Sequence, residues 1–454
     1  MKKIILFIII VVALLPLIGN KLIQSTLDEN IKMITSNGIE VKHTQIDSNY
    51  LSTSVHYEFM VKDSDKFMIY LNQYADKQIP SYINMMLLGM HVGLDLSYSN
   101  ILFNNSVEVD IYPLSLAKKT AIDLEKEDKE FYEYITNFLK IKGLLYHINY
   151  NVSSENFDGY IKDIDEEYTF KDGTNTQVIM NNMLFTGSGS LTHPNKMDST
   201  LKRIVIKSTD DAGKLDLLVE DVKSSSIFKT KTTYSTQVSV ANLDLITEAP
   251  EDAKVHLKDL SLAVSSDTQS DKAHFSSHSS FKELIFDMST SDIELFGFNY
   301  SVSLKDIDKK SFEELSRLLP KVQNDSSKEL QDKISKLLLD IITKGFTIDL
   351  KDMSLDKISK DSKKAVDAFS LKALLNVKQD PKLVNKIKVR TSQIIKNTNF
   401  DAYIKISKDF FKMMNKEVPV SMIAGGFAKE LKNDYIFDIK FKDSKLNVNG
   451  KAIK

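Results

Sequence analysis

Apolar and polar residues alternate one for one along much of this chain. Leu51, Thr53, Val55, Tyr57, Phe59 and Val61 share one parity, and polar residues fill most of the other. A strand turns successive side chains to opposite faces, so a period of two predicts a half-buried strand. Val107, Val109 and Ile111 repeat the pattern up to Pro113, and Leu144, Tyr146, Ile148, Tyr150 and Val152 continue it without a break. From Ile141 onward such stretches dominate. They include Leu215, Leu217 and Val219; Tyr234, Thr236, Val238 and Val240; and Leu260, Leu262 and Val264. The cleanest is Phe296, Phe298, Tyr300, Val302 and Leu304, in which Tyr300, Val302 and Leu304 are expected to share the buried face and a bulge at Gly297 re-aims Phe296. Each stretch has one apolar face and one rich in Ser, Thr, Asn and Lys. That pattern predicts an antiparallel sheet covered on one side.

Elsewhere the period lengthens to that of a helix. Leu27, Ile31 and Ile34 mark a short helix over 25–37; Phe67, Tyr70, Leu71 and Tyr74 mark another. Met85, Met86, Leu87 and Leu88 read as a packed helix face, with contact to an apolar ligand as the alternative, and Phe131, Tyr134, Ile135 and Phe138 point inward from a charged helix over 122–140. Phe312, Leu315, Leu318, Leu319 and Val322 form one stripe, and Leu330, Ile334, Leu337, Leu338 and Ile341 a second, with Gly345 at the C-cap. The second stripe is as wide as that of a core-facing helix, so 329–344 is expected to cover the sheet. Strands return at 346–350, 369–377 and 400–406, with helical segments at 380–396 and 407–432. A hairpin around Asp443 and Ser444 closes the chain. The expected fold class is α+β and β-dominated: an extended antiparallel sheet with amphipathic helices covering one face, plus one N-terminal transmembrane helix. The expected organisation is an anchor at 1–24, an α+β part at 25–140, a strand-rich middle at 141–310 and an α+β part at 311–454.

The N-terminal helix rests on residues 1–19. Lys2 and Lys3 precede an almost unbroken apolar run from Ile4 to Ile18. A cleaved signal peptide needs small residues before the cleavage site, and Leu17 stands where one belongs. Leu22 and Ile23 extend the run past Asn20 and Lys21 towards the roughly 20 residues that span a bilayer. The expectation is an uncleaved signal-anchor; cleavage to a soluble periplasmic protein is the alternative. The two lysines keep the N-terminus cytoplasmic. The body then lies in the periplasm of a two-membrane bacterium.

Composition narrows the chemistry. The chain has 454 residues, a net charge of −2 and no cysteine. Disulfides, thiolate metal sites and a cysteine nucleophile are excluded together, and no basic face recommends nucleic acid. His274 and His278 are four apart, but along a strand that spacing is about 13 Å, too long for one metal. Gly187-Ser188-Gly189-Ser190 lacks the strand-to-helix context of a nucleophile elbow. Asp163-Ile164-Asp165-Glu166-Glu167 lacks the glycine and ligand spacing of a calcium loop and reads as a solvated turn. Gly425-Gly426 has no phosphate-loop partners, and Lys360, Lys363 and Lys364 are offset by Asp361 and Asp367. No catalytic, cofactor-binding or metal residue is expected, and no cofactor.

Several phrases carry a family resemblance. They are Asn49-Tyr50-Leu51-Ser52-Thr53-Ser54, then Phe103-Asn104-Asn105-Ser106-Val107 with Tyr112-Pro113-Leu114, then Leu304-Lys305-Asp306-Ile307-Asp308 with Phe312, and the closing Val448-Asn449-Gly450. On these the chain resembles the bacterial YdgA-like family, whose function is unknown. An Arg-Gly pair of the first phrase is missing, and Asp110-Ile111 replaces a His-Gly of the second. The resemblance implies a membrane segment followed by a long β-rich exported region and confers no activity. The expected function is therefore a non-enzymatic, membrane-anchored envelope protein whose one-sided sheet shelters a lipid or another apolar ligand. The alternative is a structural or assembly protein that binds other envelope proteins.

Overall fold

The computed structural model describes residues 31–453, apart from 49–51, 75–79, 100–105, 191–192, 212, 250–251, 290, 320–321, 323–326, 362, 381, 384–390 and 415–425. The expected anchor, 1–24, lies outside the described residues. The chain divides into two units, 1–225 and 226–454.

Strands of the first unit are β1 (Ile39–Ser48), β2 (Ser52–Val61), β3 (His91–Ser99), β4 (Ser106–Ser115), β5 (Tyr146–Asn151), β6 (Asn156–Ile161), β7 (Ile164–Thr169), β8 (Asn175–Ser190), β9 (His193–Asp210) and most of β10 (Gly213–Thr230). From β1 to β6 each strand pairs antiparallel with the next. Short turns make this possible. Between β5 and β6 the Asn151 side chain accepts from the backbone N–H of Ser153 and Ser154, an Asx turn that reverses the chain locally. β8 is long enough to pair with β7 along its first half and with β6 along its second.

The alternation seen in the sequence becomes the core here. Val55, Tyr57 and Val61 of β2, Val92 and Leu96 of β3, Val107, Val109 and Ile111 of β4, and Tyr146, Ile148 and Tyr150 of β5 are all buried in one cluster. Helix α1 (Ser64–Tyr74) lays Phe67, Met68, Tyr70 and Leu71 on it, and a 3-10 turn (Ser81–Met86) adds Ile83. Each such side chain contributes about 1.5–3 kcal/mol on full burial. Helices α2 (Lys118–Glu127) and α3 (Lys129–Lys140) meet at Asp128, whose carboxylate accepts from the N–H of Phe131 and caps α3.

The second unit holds β11 (Thr233–Glu248), β12 (Ala253–Asp267), β13 (Lys272–Met288), β14 (Ser291–Asp308), β15 (Phe346–Lys360), β16 (Val366–Val377), β17 (Thr398–Ser407), β18 (Lys429–Glu430), β19 (Asp434–Lys442), β20 (Lys445–Val448) and β21 (Lys451–Ile453). From β11 to β17 each strand pairs antiparallel with the next; β19 follows β17, carries β18 alongside, and leads to β20 and β21. Its helices are α4 (Lys309–Leu318), α5 (Lys328–Lys344), α6 (Thr391–Lys396) and α7 (Lys408–Met414).

Single left-handed residues interrupt long strands in both units. Asn182 and Asp221 do so in the first, Asp259 and Gly297 in the second, with φ of 51°, 51°, 53° and 66°. At each the apolar parity changes, for example from Val255 and Leu257 to Leu260 and Leu262. An inverted residue of this kind resets the alternation and adds twist. At Gly297, where the sequence predicts a bulge, the register with β13 and β15 is unshifted; the register shift between β14 and β15 falls at Ser301 and Val302.

The expected fold class needs correction. Among the described residues strands dominate, in a 21-stranded antiparallel sheet. Among the described residues no helix is long and apolar enough to cross a membrane. In the first unit α1 lies on the apolar face of the sheet, but among the described residues of the second unit the helices leave most of that face uncovered. α5, expected as the main cover, packs on α4 and against β14, and Lys344 pairs with Asp308 at the end of β14 at 3.0 Å. Leu330 and Thr343 are its buried residues, Leu337 is half-buried and Leu338 exposed. Tyr300, Val302 and Leu304 are likewise only half-buried, while Ser303 between them is buried. The physical reason is common to both: the helices are too short, and placed too near strand ends, to lie over strands of 15–18 residues. Of the expected helices at 380–396 and 407–432, the described residues retain α6 and α7.

Candidate functional site

Two surfaces invite a functional reading. The first is a polar row on the face of the first unit's sheet away from its core. Core residues occupy alternate positions of β2 to β5, so the positions between them point the other way. Register places His56 of β2 opposite Asp95 of β3, Asp95 opposite Asp110 of β4, and Asp110 opposite His147 of β5. Two like charges directly opposite each other are unfavourable. Here each carboxylate has its own imidazole. His56 Nδ1 lies 2.5 Å from Asp95 Oδ1, and His147 Nδ1 lies 2.7 Å from Asp110 Oδ1. The row lines a cleft of about 320 Å³ together with Gln45, Ser54, Glu108 and Tyr112.

Asp95 is the most heavily bonded member. Besides His56, the Tyr112 hydroxyl donates to it at 3.0 Å and Lys142 Nζ at 2.5 Å. Lys142 also sits 4.2 Å from the centre of the Tyr112 ring. Burial works against the Asp95 charge, but the bonds from Lys142, His56 and Tyr112 outweigh it and hold the carboxyl below its usual value. Burial, then the Asp95 charge, push the Tyr112 hydroxyl far above its usual value, so it stays a protonated donor. On the other arm, His147 stacks on Tyr160 at 4.8 Å, and its Nε2 lies 3.2 Å from Asn149 Oδ1.

Room for Tyr112 comes from Gly93, its partner across β3 and β4. A Cβ on Gly93 would lie 2.4 Å from the Tyr112 ring. Gly93→Ala is expected to displace the ring, break its bond to Asp95 and cost about 1–2 kcal/mol, as overpacking does. Thermal denaturation measures it. In a Tyr112→Ala background the cost should vanish, because the clashing ring is gone.

Chemically, this row is more structural than reactive. The Asp95 oxygens are occupied by three donors, and no hydroxyl is activated as a nucleophile by an adjacent base in the way covalent catalysis needs. Among the described residues no group of three or more His, Asp or Glu is arranged to hold a metal ion.

The second surface belongs to the second unit. Residues directly opposite across antiparallel strands share a face. One row reads Val238, Leu262, Ser279, Tyr300, Met353, Leu371, Ile404 and Phe437. Two residues along lies Thr236, Val264, Ser277, Val302, Leu350, Ala373, Ala402 and Ile439; beyond it Tyr234, Ser266, Phe275, Leu304, Ile348, Leu375, Phe400 and Phe441. Most of these apolar side chains are half-buried, and Leu262 is 40% exposed. The opposite face carries Ser265, Ser276 and Ser303 in one row, with a bond of 2.7 Å between the first two hydroxyls. The sheet is thus one-sided, with its apolar side only partly shielded.

The residues weighed in the sequence fall as follows. His274 and His278 are strand residues of β13, and His274 Nδ1 lies 3.4 Å from the N–H of Asp306. Ser188 and its neighbours end β8. The acidic run is a strand, β7, and not a turn: Asp163 accepts from the N–H of Asn182, and Glu166 accepts from the Tyr134 hydroxyl. Lys363 pairs with Asp361. Asn49, Tyr50, Leu51, Phe103, Asn104, Asn105 and Gly425 lie outside the described residues. Sequence reasoning missed the His–Asp row altogether. Its trace was a polar residue at the outward position of four successive strands, which only register aligns. No protein-family model, no curated protein and no solved structure matches this chain.

Proposed function

We propose that this chain is a non-enzymatic envelope protein, anchored in the inner membrane by residues 1–24 with its body in the periplasm, that shelters lipid acyl chains on the apolar sheet face of its second unit. The observation that carries this reading is that three adjacent apolar rows are only partly buried, with Leu262 40% exposed. Soluble monomers rarely expose contiguous apolar patches of more than a few hundred Å² without using them. The apolar run from Ile4 to Ile18 would bring that face to a lipid source. The YdgA-like resemblance supports the same placement.

The test is native mass spectrometry of the full chain after extraction in mild detergent. Phospholipid or another acyl lipid should remain bound. Leu262→Glu, at a partly exposed position, should reduce lipid occupancy about tenfold by placing a charge among acyl chains, with the melting temperature held. Lipid-free protein in repeated preparations overturns the reading and favours an assembly role.

A further inference from the structure

We propose that the 3-10 turn Ser81–Met86, with Leu88 and helix α2, forms a second membrane contact that rests on an anionic lipid surface. This rests on the anchor reading above and adds an orientation for the first unit.

The turn is divided cleanly between core and solvent. Ile83, Leu87 and Met90 are fully or almost fully buried in the first unit's core. Tyr82 and Met85, between and beside them, are 56% and 57% exposed, and Leu88 is 45% exposed. Because their neighbours are locked inward, these three cannot fold into the core without pulling it apart. α2 packs beside the turn, and the N–H of Lys118 donates to the Leu88 carbonyl at 2.9 Å. Ile122 of α2 is also exposed. It lies one turn from both Lys118 and Lys119, so the three share one helix face. Lys119 Nζ stands 4.0 Å from Met85 Sδ, and neither lysine pairs with a carboxylate among the described residues. Of the acids that line the cleft with Leu88, Asp65 is engaged by the Asn84 amide and Asp63 by Lys66. Tyrosine and aliphatic side chains with free lysines at their rim are the composition that settles at a lipid headgroup boundary.

The path of the chain selects lipid over another occupant. Residues 31–36 form a helix whose Ile34 is buried in the same core as Ile83 and Leu87. Thr35 and Ser36 share with Leu88 the lining of a cleft of about 450 Å³. The apolar run that ends at Ile18 therefore reaches the described residues beside this patch, at a remove of about a dozen residues. An anchored chain has its first unit tethered at that point, and the exposed apolar side chains are on hand to meet the membrane.

The chain has no tryptophan, so a single introduced indole reports alone. Full-length Met85→Trp is reconstituted into vesicles of phosphatidylcholine and phosphatidylglycerol carrying brominated acyl chains. Quenching of about twofold is expected, as for a side chain 5–10 Å into the interface. Tyr160→Trp, on the sheet face that carries His147, should remain unquenched. Replacing Lys118 and Lys119 by Glu should remove most of the Met85→Trp quenching while the chain stays in the vesicles. Protein that fails to float with vesicles overturns the anchor reading itself. Protein that floats with an unquenched indole at 85 overturns this contact alone, and a blue shift without quenching assigns the patch to a protein partner or a second copy.

Discussion

Replacing Ile148 by Asp should unfold the first unit. Ile148 is at the centre of β5, fully buried, and faces Val109 on β4 and Gly159 on β6. Its surroundings are apolar: Val109, Ile111 and Tyr146 belong to the same cluster. An aspartate there would be charged without a partner or would take up a proton to become neutral. Either course adds several kcal/mol to the loss of the isoleucine itself. Domains are stable by only about 5–15 kcal/mol, so this one change uses up much or all of the margin. Hydrogen exchange on the full chain measures the effect, as protection of the amides of β2 to β6. Ile148→Val keeps the shape and loses one methylene; it should cost about 0.5–1.5 kcal/mol and leave protection in place. Full protection in Ile148→Asp would mean that β5 does not pack as described.

Asp95→Ala should destabilise the same unit by about 1–2 kcal/mol at neutral pH. Three donors, Lys142, His56 and Tyr112, lose their common acceptor. Hydrogen bonds to a charged group contribute about 1.5–3 kcal/mol when buried, and a side chain 32% exposed retains part of that. The pH dependence separates this from a packing defect. The Asp95 carboxyl is held below its usual value in the folded chain, where burial is outweighed by its donors. Its contribution is therefore fully present above the unfolded-state value of about 3.9 and is lost as pH falls through the lower folded value. The gap between parent and Asp95→Ala in urea denaturation should be constant from pH 7 to about pH 5 and close at more acid pH. A gap that persists unchanged in acid would show that the charge plays no part.

These two residues also mark how far the sequence could be read. Ile148 was legible. It stands in an unbroken alternation from Leu144 to Val152, and the apolar parity of that run is the buried one as far as Tyr150. Alternation reports which side of a strand faces away from water, because that choice depends on residue type alone. The one-sided character of β11 to β14 was visible for the same reason; Gly297 was legible as an irregular position, although it is a single left-handed residue without the register shift of a bulge. Asp95 was not legible as a site. Its partners come from residues 56, 112 and 142, and nothing short of the strand register brings them together.

Local pattern was thus enough to place most strands and the apolar side of the sheet, since these are decided by neighbours in the chain, although it took β7 for a turn. It was not enough to say what lies against that side. The stripe on α5 satisfied every local rule for a helix that covers a sheet, yet the helix packs on α4 at the end of β14. A short helix cannot shield strands of 15–18 residues, and which surface it meets depends on connection geometry and on the twist accumulated at residues such as Asp259 and Gly297. The partly buried rows around Leu262 and Tyr300, and the His–Asp row of the first unit, follow from that long-range arrangement. Both depend on contacts between residues distant in the chain, to which a period of two is blind.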